Sequence, residues 1–459
     1  MKAYRVWSIA LLVVSGAGLQ AQRSTNATLV TQIDSLAAAS LAQWPAVGLS
    51  IAVVRGRDTV VLKGYGRADL ENDIPATAQT VYRIGSITKQ FTAVAILQLM
   101  EQGKLSLDDT IQRFLPEYHA QGRHITVRHL LTHTSGIKSY TSLGPEWQRG
   151  MRLDVAHDSL VALFQDKPFD FEPGTKFLYN NSGFYLLGLI IEQVSGQSYS
   201  QYLVEHEFNP LGLRATLYCD DRPLIPRRAA GYERDSGRFV NASPLSMTQP
   251  YSAGALCSTV GDLVAWQRSL VTHRLISAAS TAMMATSGTL TDGSATGYGF
   301  GLAVGKLGEH RRVGHGGGIN GFLTQLDYYP DDSLTVVVLA NSESAQPGRL
   351  AEEIARAVLG VAKPVVKDLA LAAADLARFT GTYALGPMQI RVFESSGKLQ
   401  AQAPGQGAFG LRWQGDSTFI ASFDDNVTLV FRSAAQGGAP AAAFTLVQGG
   451  IAQTATRVP

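Results

Sequence analysis

Strand-forming runs stand on either side of a helical middle, and that placement restricts the fold more than any other feature of the chain. GLSIAVV (48–54) and DTVVLKGYG (58–66) are apolar and β-branched, and the turn Gly56-Arg57-Asp58 between them predicts an antiparallel hairpin. FLTQLDYY (322–329) and LTVVVLA (334–340) form a second pair around Pro330-Asp331-Asp332. Helical patterns fill the space between: one headed by Ser86, one over 125–137 stopped by Gly136, and one over 183–195 ended by Gly196. A closing helix is expected over Arg349–Leu359. If the two hairpins share one sheet, this region is α+β, an antiparallel sheet flanked by helices and carrying a helical subdomain.

At Lys363-Pro364 the character changes. MQIRVF, KLQAQA, FIASF, VTLVF and AAFTLV are short alternating runs separated by turn-rich stretches, which predicts a small all-β, barrel-like domain. The expected division is 22–362, a linker at 363–374, and 375–459.

The N-terminus has the build of a secretory signal. Lys2 and Arg5 precede the mostly apolar run Val6–Val14, and small or polar residues lead to a cut expected after Ala21. The apolar core is too short to span a bilayer comfortably, so no stable membrane anchor is expected after processing. The expected location is secreted or periplasmic. Formal net charge is +2 over the whole chain, and losing Lys2 and Arg5 would leave it near neutral. Without a concentrated basic face, nucleic acid is not an expected partner. Cys219 and Cys257 are the only cysteines. In an oxidising compartment they could pair as a disulfide, and two reduced buried thiols are the alternative.

The chemistry concentrates at RIGSITKQFTAVAI (83–96). Ser-x-x-Lys occurs three times, at Ser86–Lys89, Ser135–Lys138 and Ser395–Lys398. Gly136 follows the second serine at once, and the third opens a turn between strands. Only Ser86 heads an apolar helix, where Phe91, Val94, Ala95 and Leu99 fall on one face and Lys89 lies one turn on from the serine. A serine hydroxyl is a weak nucleophile until a neighbouring base takes its proton, and a desolvated lysine can be that base.

Two further stretches, FEPGTKFLYNNSGFYLLGLIIEQVSG (171–196) and VGHGGGINGF (313–322), join SITK in an order that resembles the serine β-lactamase and penicillin-binding-protein superfamily. The closer likeness is to its class C-like esterase, D-aminopeptidase and DD-peptidase branch. LSLDDTIQRFLPE, ITVRHLLTHTSGI and AGALCSTVGDLVAW also look like family segments, and the resemblance covers roughly residues 30–360. It implies Ser86 as nucleophile and Lys89 as its base. It implies Tyr179 as proton shuttle and activator of the deacylating water. Asn181 would bond the substrate or Lys89, and the backbone N–H groups of Ser86 and Gly318 would form the oxyanion hole. His315-Gly316-Gly317 matches the third motif, with His315 and Gly317 facing the substrate. Where β-lactamases place a lysine, His315 offers only partial charge near neutral pH. Gly316 to Gly318 let a substrate backbone lie close to the strand.

Gly316-x-Gly318-x-x-Gly321 fits the dinucleotide pattern, yet a strand follows it rather than a helix, which discards that reading. No Gly-x-Ser-x-Gly or His-Glu-x-x-His occurs. His129 and His133 stand four apart on one helical face, and in the family that segment is structural, so both are expected to be core or capping residues. The expected protein is an exported serine hydrolase of ester or D-amino-acid-type peptide substrates, cell-wall-derived ones among them. Neither a metal nor an organic cofactor is expected. A non-catalytic peptidoglycan or peptide binder and a weak β-lactamase are the other readings. The C-terminal segment resembles the lipocalin-like barrel often appended to this branch.

Overall fold

All of Gly48–Arg55 except Arg55 is buried, as is all of Leu334–Ala340, so both strands need cover on both faces. The computed structural model describes residues 16–458 except 364, 386–387, 404–406, 426, 434–438 and 449–450. Helix α1 (Gly16–Gln43) leads into β1 (Gly48–Arg55), β2 (Asp58–Asp69) and the short edge strand β3 (Ile74–Pro75). Strand β4 (Tyr82–Arg83) runs into α2 (Thr88–Glu101). The insertion that follows holds α3 (Val127–Leu131), α4 (Asn181–Ser195) and β5 (Leu217–Tyr218). It continues through the hairpin β6 (Tyr232–Asp235) and β7 (Arg238–Asn241), then α5 (Tyr251–Gly254), β8 (Leu256–Ser258) and α6 (Val260–Val271). The chain returns as β9 (Ala303–Leu307), β10 (His310–Ile319), β11 (Phe322–Tyr329) and β12 (Leu334–Ala340), closed by α7 (Pro347–Leu359).

The two terminal hairpins do share a sheet, of order β3-β2-β1-β12-β11-β10-β9, and they join where Leu49 faces Ala340 and Arg55 faces Leu334. On one face Ile51, Val53, Val336 and Val338 pack with Ile33 of α1 and Ile354 of α7. On the other, Ala52, Val337 and Leu339 share a core with α2 and α6. Every residue of α2 from Thr88 to Leu99 is buried, so the expected single apolar face is in fact burial all round. Phe91 shows why: it stacks on Trp266 of α6 with ring centroids 3.8 Å apart. Burying such a ring fully is worth about 2–3 kcal/mol.

The helix expected over 125–137 is shorter. It ends at Leu131, where Thr132 is the C-cap and both its N–H (3.0 Å) and its hydroxyl (2.8 Å) donate to the Arg128 carbonyl. His133 follows with φ of 57°, so His129 and His133 do not share a helical face. His129 closes a capping box with Thr126, and His133 is buried.

A disulfide joins Cys219 to Cys257, with Cα atoms 5.1 Å apart. It ties the segment after β5 to β8, and β8 also pairs with β4 through Arg83 and Cys257. The bridge therefore braces the strand that delivers Ser86.

Eight strands from β13 (Gly381–Leu385) to β20 (Ile451–Arg457) close a C-terminal barrel through the Tyr383–Arg457 pairing. Phe379, Tyr383, Phe419, Phe431 and Phe444 fill it. The run Val6–Val14 of the expected signal lies outside the described residues, and the expected cut after Ala21 falls within α1. Among the described residues, no helix is long and apolar enough to cross a membrane.

Candidate functional site

From Ile84 to Leu99 every residue is buried except Ser86, which reaches solvent. A 3-10 turn, Gly85–Ile87, presents it at the head of α2. Gly85 has a φ of 51°, and a Cβ there would lie 2.9 Å from the Gly318 nitrogen, so glycine alone lets β10 pass so close to the serine. At Gly317 a Cβ would overlap the Ile84 carbonyl oxygen and the Thr324 hydroxyl. Beyond Gly314, β9 no longer pairs with β10, which leaves the His315–Ile319 edge open beside Ser86.

Lys89 is fully buried one turn below. Its Nζ lies 3.1 Å from Ser86 Oγ, 2.8 Å from Asn181 Oδ1 and 2.8 Å from the Ala253 carbonyl oxygen. Asn180 caps α4 by accepting the Gly183 N–H at 2.9 Å, which places Asn181 on the first turn facing Lys89. The Asn181 amide is oriented by its own donation to Thr141 Oγ1 at 3.1 Å, so its oxygen faces the lysine. Burial holds the Lys89 ammonium well below its ordinary pKa.

Tyr179 lies against this group, with Lys89 Nζ 4.7 Å from its ring centroid. Its hydroxyl is buried and, among the described residues, lacks a hydrogen-bond partner of normal geometry. Burial pushes the phenol above its ordinary pKa, an effect that the nearby Ser86 partly offsets. The phenol is therefore neutral and can give a proton, not a standing phenolate. His315 is buried and is driven to about 3, first by desolvation and then by Lys89. Its Nδ1 donates to the Gly316 carbonyl (2.5 Å), and its Nε2 accepts from Tyr298 at 2.8 Å. It is neutral at physiological pH, not the partial cation expected from the sequence, because no carboxylate among the described residues compensates its burial.

The structure thus brings Ser86, Lys89, Tyr179, Asn181, His315, Gly317 and Gly318 to one place, and sets Cys219 and Cys257 apart as a brace. Ser135 and Lys138 are not combined this way: Lys138 pairs with Asp170 at 2.6 Å. The sequence does not assign three participants to the site, and His133 reads there as a core or capping residue. The Ala253 carbonyl belongs to a family-like stretch whose individual residues gave no signal. His133 brackets Tyr179 on both sides: its carbonyl accepts from the Leu178 N–H (3.0 Å) and its Nδ1 from the Asn180 N–H (3.1 Å). Tyr298 holds His315.

The sign of the pH dependence follows from Lys89. If its free amine is the working form, lowering its pKa extends activity to lower pH. We expect kcat/KM to be flat across mildly alkaline pH and to fall only on the acid side. A rate that climbs through the ordinary lysine range near 10.5 would contradict this.

A Beta-lactamase family profile matches residues 33–361, more than half of the chain. The protein named Protein flp from Staphylococcus aureus strain MW2 is 30% identical over 330 residues, 70% of this chain and 65% of that protein. The chain thus spans about two thirds of the length of that relative. Among solved structures, the octameric penicillin-binding protein homologue from Pyrococcus abyssi aligns over 93% of this chain and 99% of its own, at 28% identity and a TM-score of 0.67. A D-stereospecific amidohydrolase from Streptomyces sp. aligns over 69% and 95%, at 30% identity and a TM-score of 0.61. Profile, relatives and fold agree with the motif order around Ser86, and the chain belongs to the beta-lactamase family.

Proposed function

We propose that the protein is an exported serine hydrolase that cleaves an ester or a D-amino-acid-type amide through an acyl-enzyme on Ser86. The observation that carries this is the set of neighbours around Lys89. A neutral amine has two N–H donors and one lone pair. Two of its three neighbours, the Asn181 and Ala253 oxygens, can only accept, and both stand at 2.8 Å. The third is the Ser86 hydroxyl at 3.1 Å, so the lone pair is left facing the proton to be removed.

In this scheme Ser86 Oγ bonds to the substrate carbonyl carbon as its proton passes to Lys89 Nζ. The carbonyl π pair moves to the oxygen, held by the Ser86 and Gly318 amides. Collapse breaks the bond to the leaving group, which takes a proton from Tyr179, and Lys89 returns its proton to Tyr179. Water then adds to the acyl carbonyl while its proton passes through the Tyr179 hydroxyl to the free amine of Lys89; collapse breaks the bond to Ser86 Oγ, which takes that proton back from Lys89 as the acid product leaves. The bridge between Cys219 and Cys257 supports an oxidising compartment.

The test is turnover of p-nitrophenyl esters beside D- and L-amino-acid amides. Hydrolysis of either class that is lost in Ser86→Ala supports the reading, and the class preferred sets the substrate. A folded protein with no turnover of any would favour the binding-protein reading. The neutral His315 also removes the cation that would hold a β-lactam carboxylate. We expect nitrocefin to be turned over slowly, and a high turnover number would contradict that.

A further inference from the structure

A second polar site lies at the far end of the open β10 edge. A cavity of 360 Å³ is lined by Arg83, Arg152, Arg228, Asp154 and Asp221, with Asn320 and Phe322 forming its wall towards the β10–β11 turn. Arg83 precedes Ser86 by three residues, and Asn320 follows Gly318 by two. The Arg83 side chain is only 14% exposed, and it shares a single carboxylate with Arg228: Asp221 lies 2.8 Å from the first and 3.3 Å from the second. Asp154 accepts from the Ser246 hydroxyl at 2.6 Å. Arg152 is exposed at the rim and has no ion-pair or hydrogen-bond partner among the described residues. Three guanidinium groups therefore face two carboxylates, and the cavity is short of one negative charge.

The direction of the substrate follows from the catalytic groups. His315 and Tyr179 sit together, ring centroids 5.9 Å apart, at the end of the edge where the leaving group must take its proton. The acyl part must then run the other way, past Gly318 towards Asn320. Two strand residues span about 7 Å. We propose that this cavity is an anion subsite that holds a carboxylate on the acyl part of the substrate, roughly two residue lengths from the scissile carbonyl. The proposal rests on the acyl-enzyme reading above. Arginine suits this task because its planar fork meets a carboxylate in two parallel hydrogen bonds. The cation absent at position 315 is thus supplied on the opposite side of the scissile bond, which separates this substrate class from β-lactams.

The experiment compares mono-p-nitrophenyl adipate with its neutral match, p-nitrophenyl hexanoate, and its cationic match, p-nitrophenyl 6-aminohexanoate. Wild type should show the highest kcat/KM on the adipate, with the preference shrinking as salt is raised. In Arg152→Gln and Arg228→Gln, both surface-accessible changes, the adipate-to-hexanoate ratio should fall about tenfold, the effect of losing one charged hydrogen bond. The loss should appear mainly in KM, with unchanged thermal melts showing that each variant folds. Equal use of adipate and hexanoate, or a ratio that both variants leave unchanged, overturns the subsite and leaves the acyl-enzyme standing. A preference for the aminohexanoate overturns it in favour of Asp154 and Asp221 as cation binders. No turnover of any ester, together with no covalent labelling of Ser86, overturns both.

Discussion

Lys89→Ala is expected to slow acylation of Ser86 by about 10²–10⁴-fold, the usual contribution of a positioned general base. The expectation comes from how little else can take the serine proton. Tyr179 is held neutral by burial, and neither of the other oxygens around Lys89 can substitute for an amine. Alanine also strands the Asn181 and Ala253 oxygens without their donor, which costs about 1–3 kcal/mol for each buried group left unmatched. The melting midpoint should drop while far-ultraviolet circular dichroism stays native. Lys89→Met keeps most of the stem, and so avoids a cavity, while removing both the basic nitrogen and its N–H donors. Stopped-flow acylation with a chromogenic ester is the measurement, and an active Lys89→Ala or Lys89→Met enzyme would remove lysine from the mechanism.

Tyr179→Phe should lower turnover by about 10²–10⁴-fold on substrates with poor leaving groups. The ring continues to pack against His133, at 4.3 Å between centroids, so the site keeps its shape while losing one hydroxyl. An amide nitrogen must be protonated as it leaves, whereas p-nitrophenolate needs no proton. The defect should therefore be much larger on amides than on p-nitrophenyl esters during acylation, with slow deacylation common to both. Equal acylation defects on both substrates would place Tyr179 in positioning rather than in proton transfer.

The parts of this site that were legible in the sequence are those whose neighbours lie close in the chain. Ser86 and Lys89 are three apart on one turn, and Gly316 to Gly318 are consecutive on a strand. The two hairpins were legible for a similar reason: β1 and β12 are buried on both faces and read as unbroken apolar runs. What escaped is set by long-range packing. The Ala253 carbonyl reaches Lys89 across 164 positions, and a backbone oxygen has no residue signature. His133 read as a core histidine, and only the fold shows it bonding both sides of Tyr179. The partial charge expected for His315 failed because exposure was assumed and the structure buries it. In the barrel, Gly381–Leu385, Phe409–Gly415 and Ile451–Arg457 were not read as strands. They carry glycine or long polar stretches, and closure of the barrel supplies the pairing that their own composition does not.

Intact mass after treatment with a fluorophosphonate shows whether Ser86 is an activated nucleophile. One adduct is expected on the wild-type protein and none on Ser86→Ala. A folded wild type that stays unlabelled, or an adduct that persists in Ser86→Ala, would contradict it.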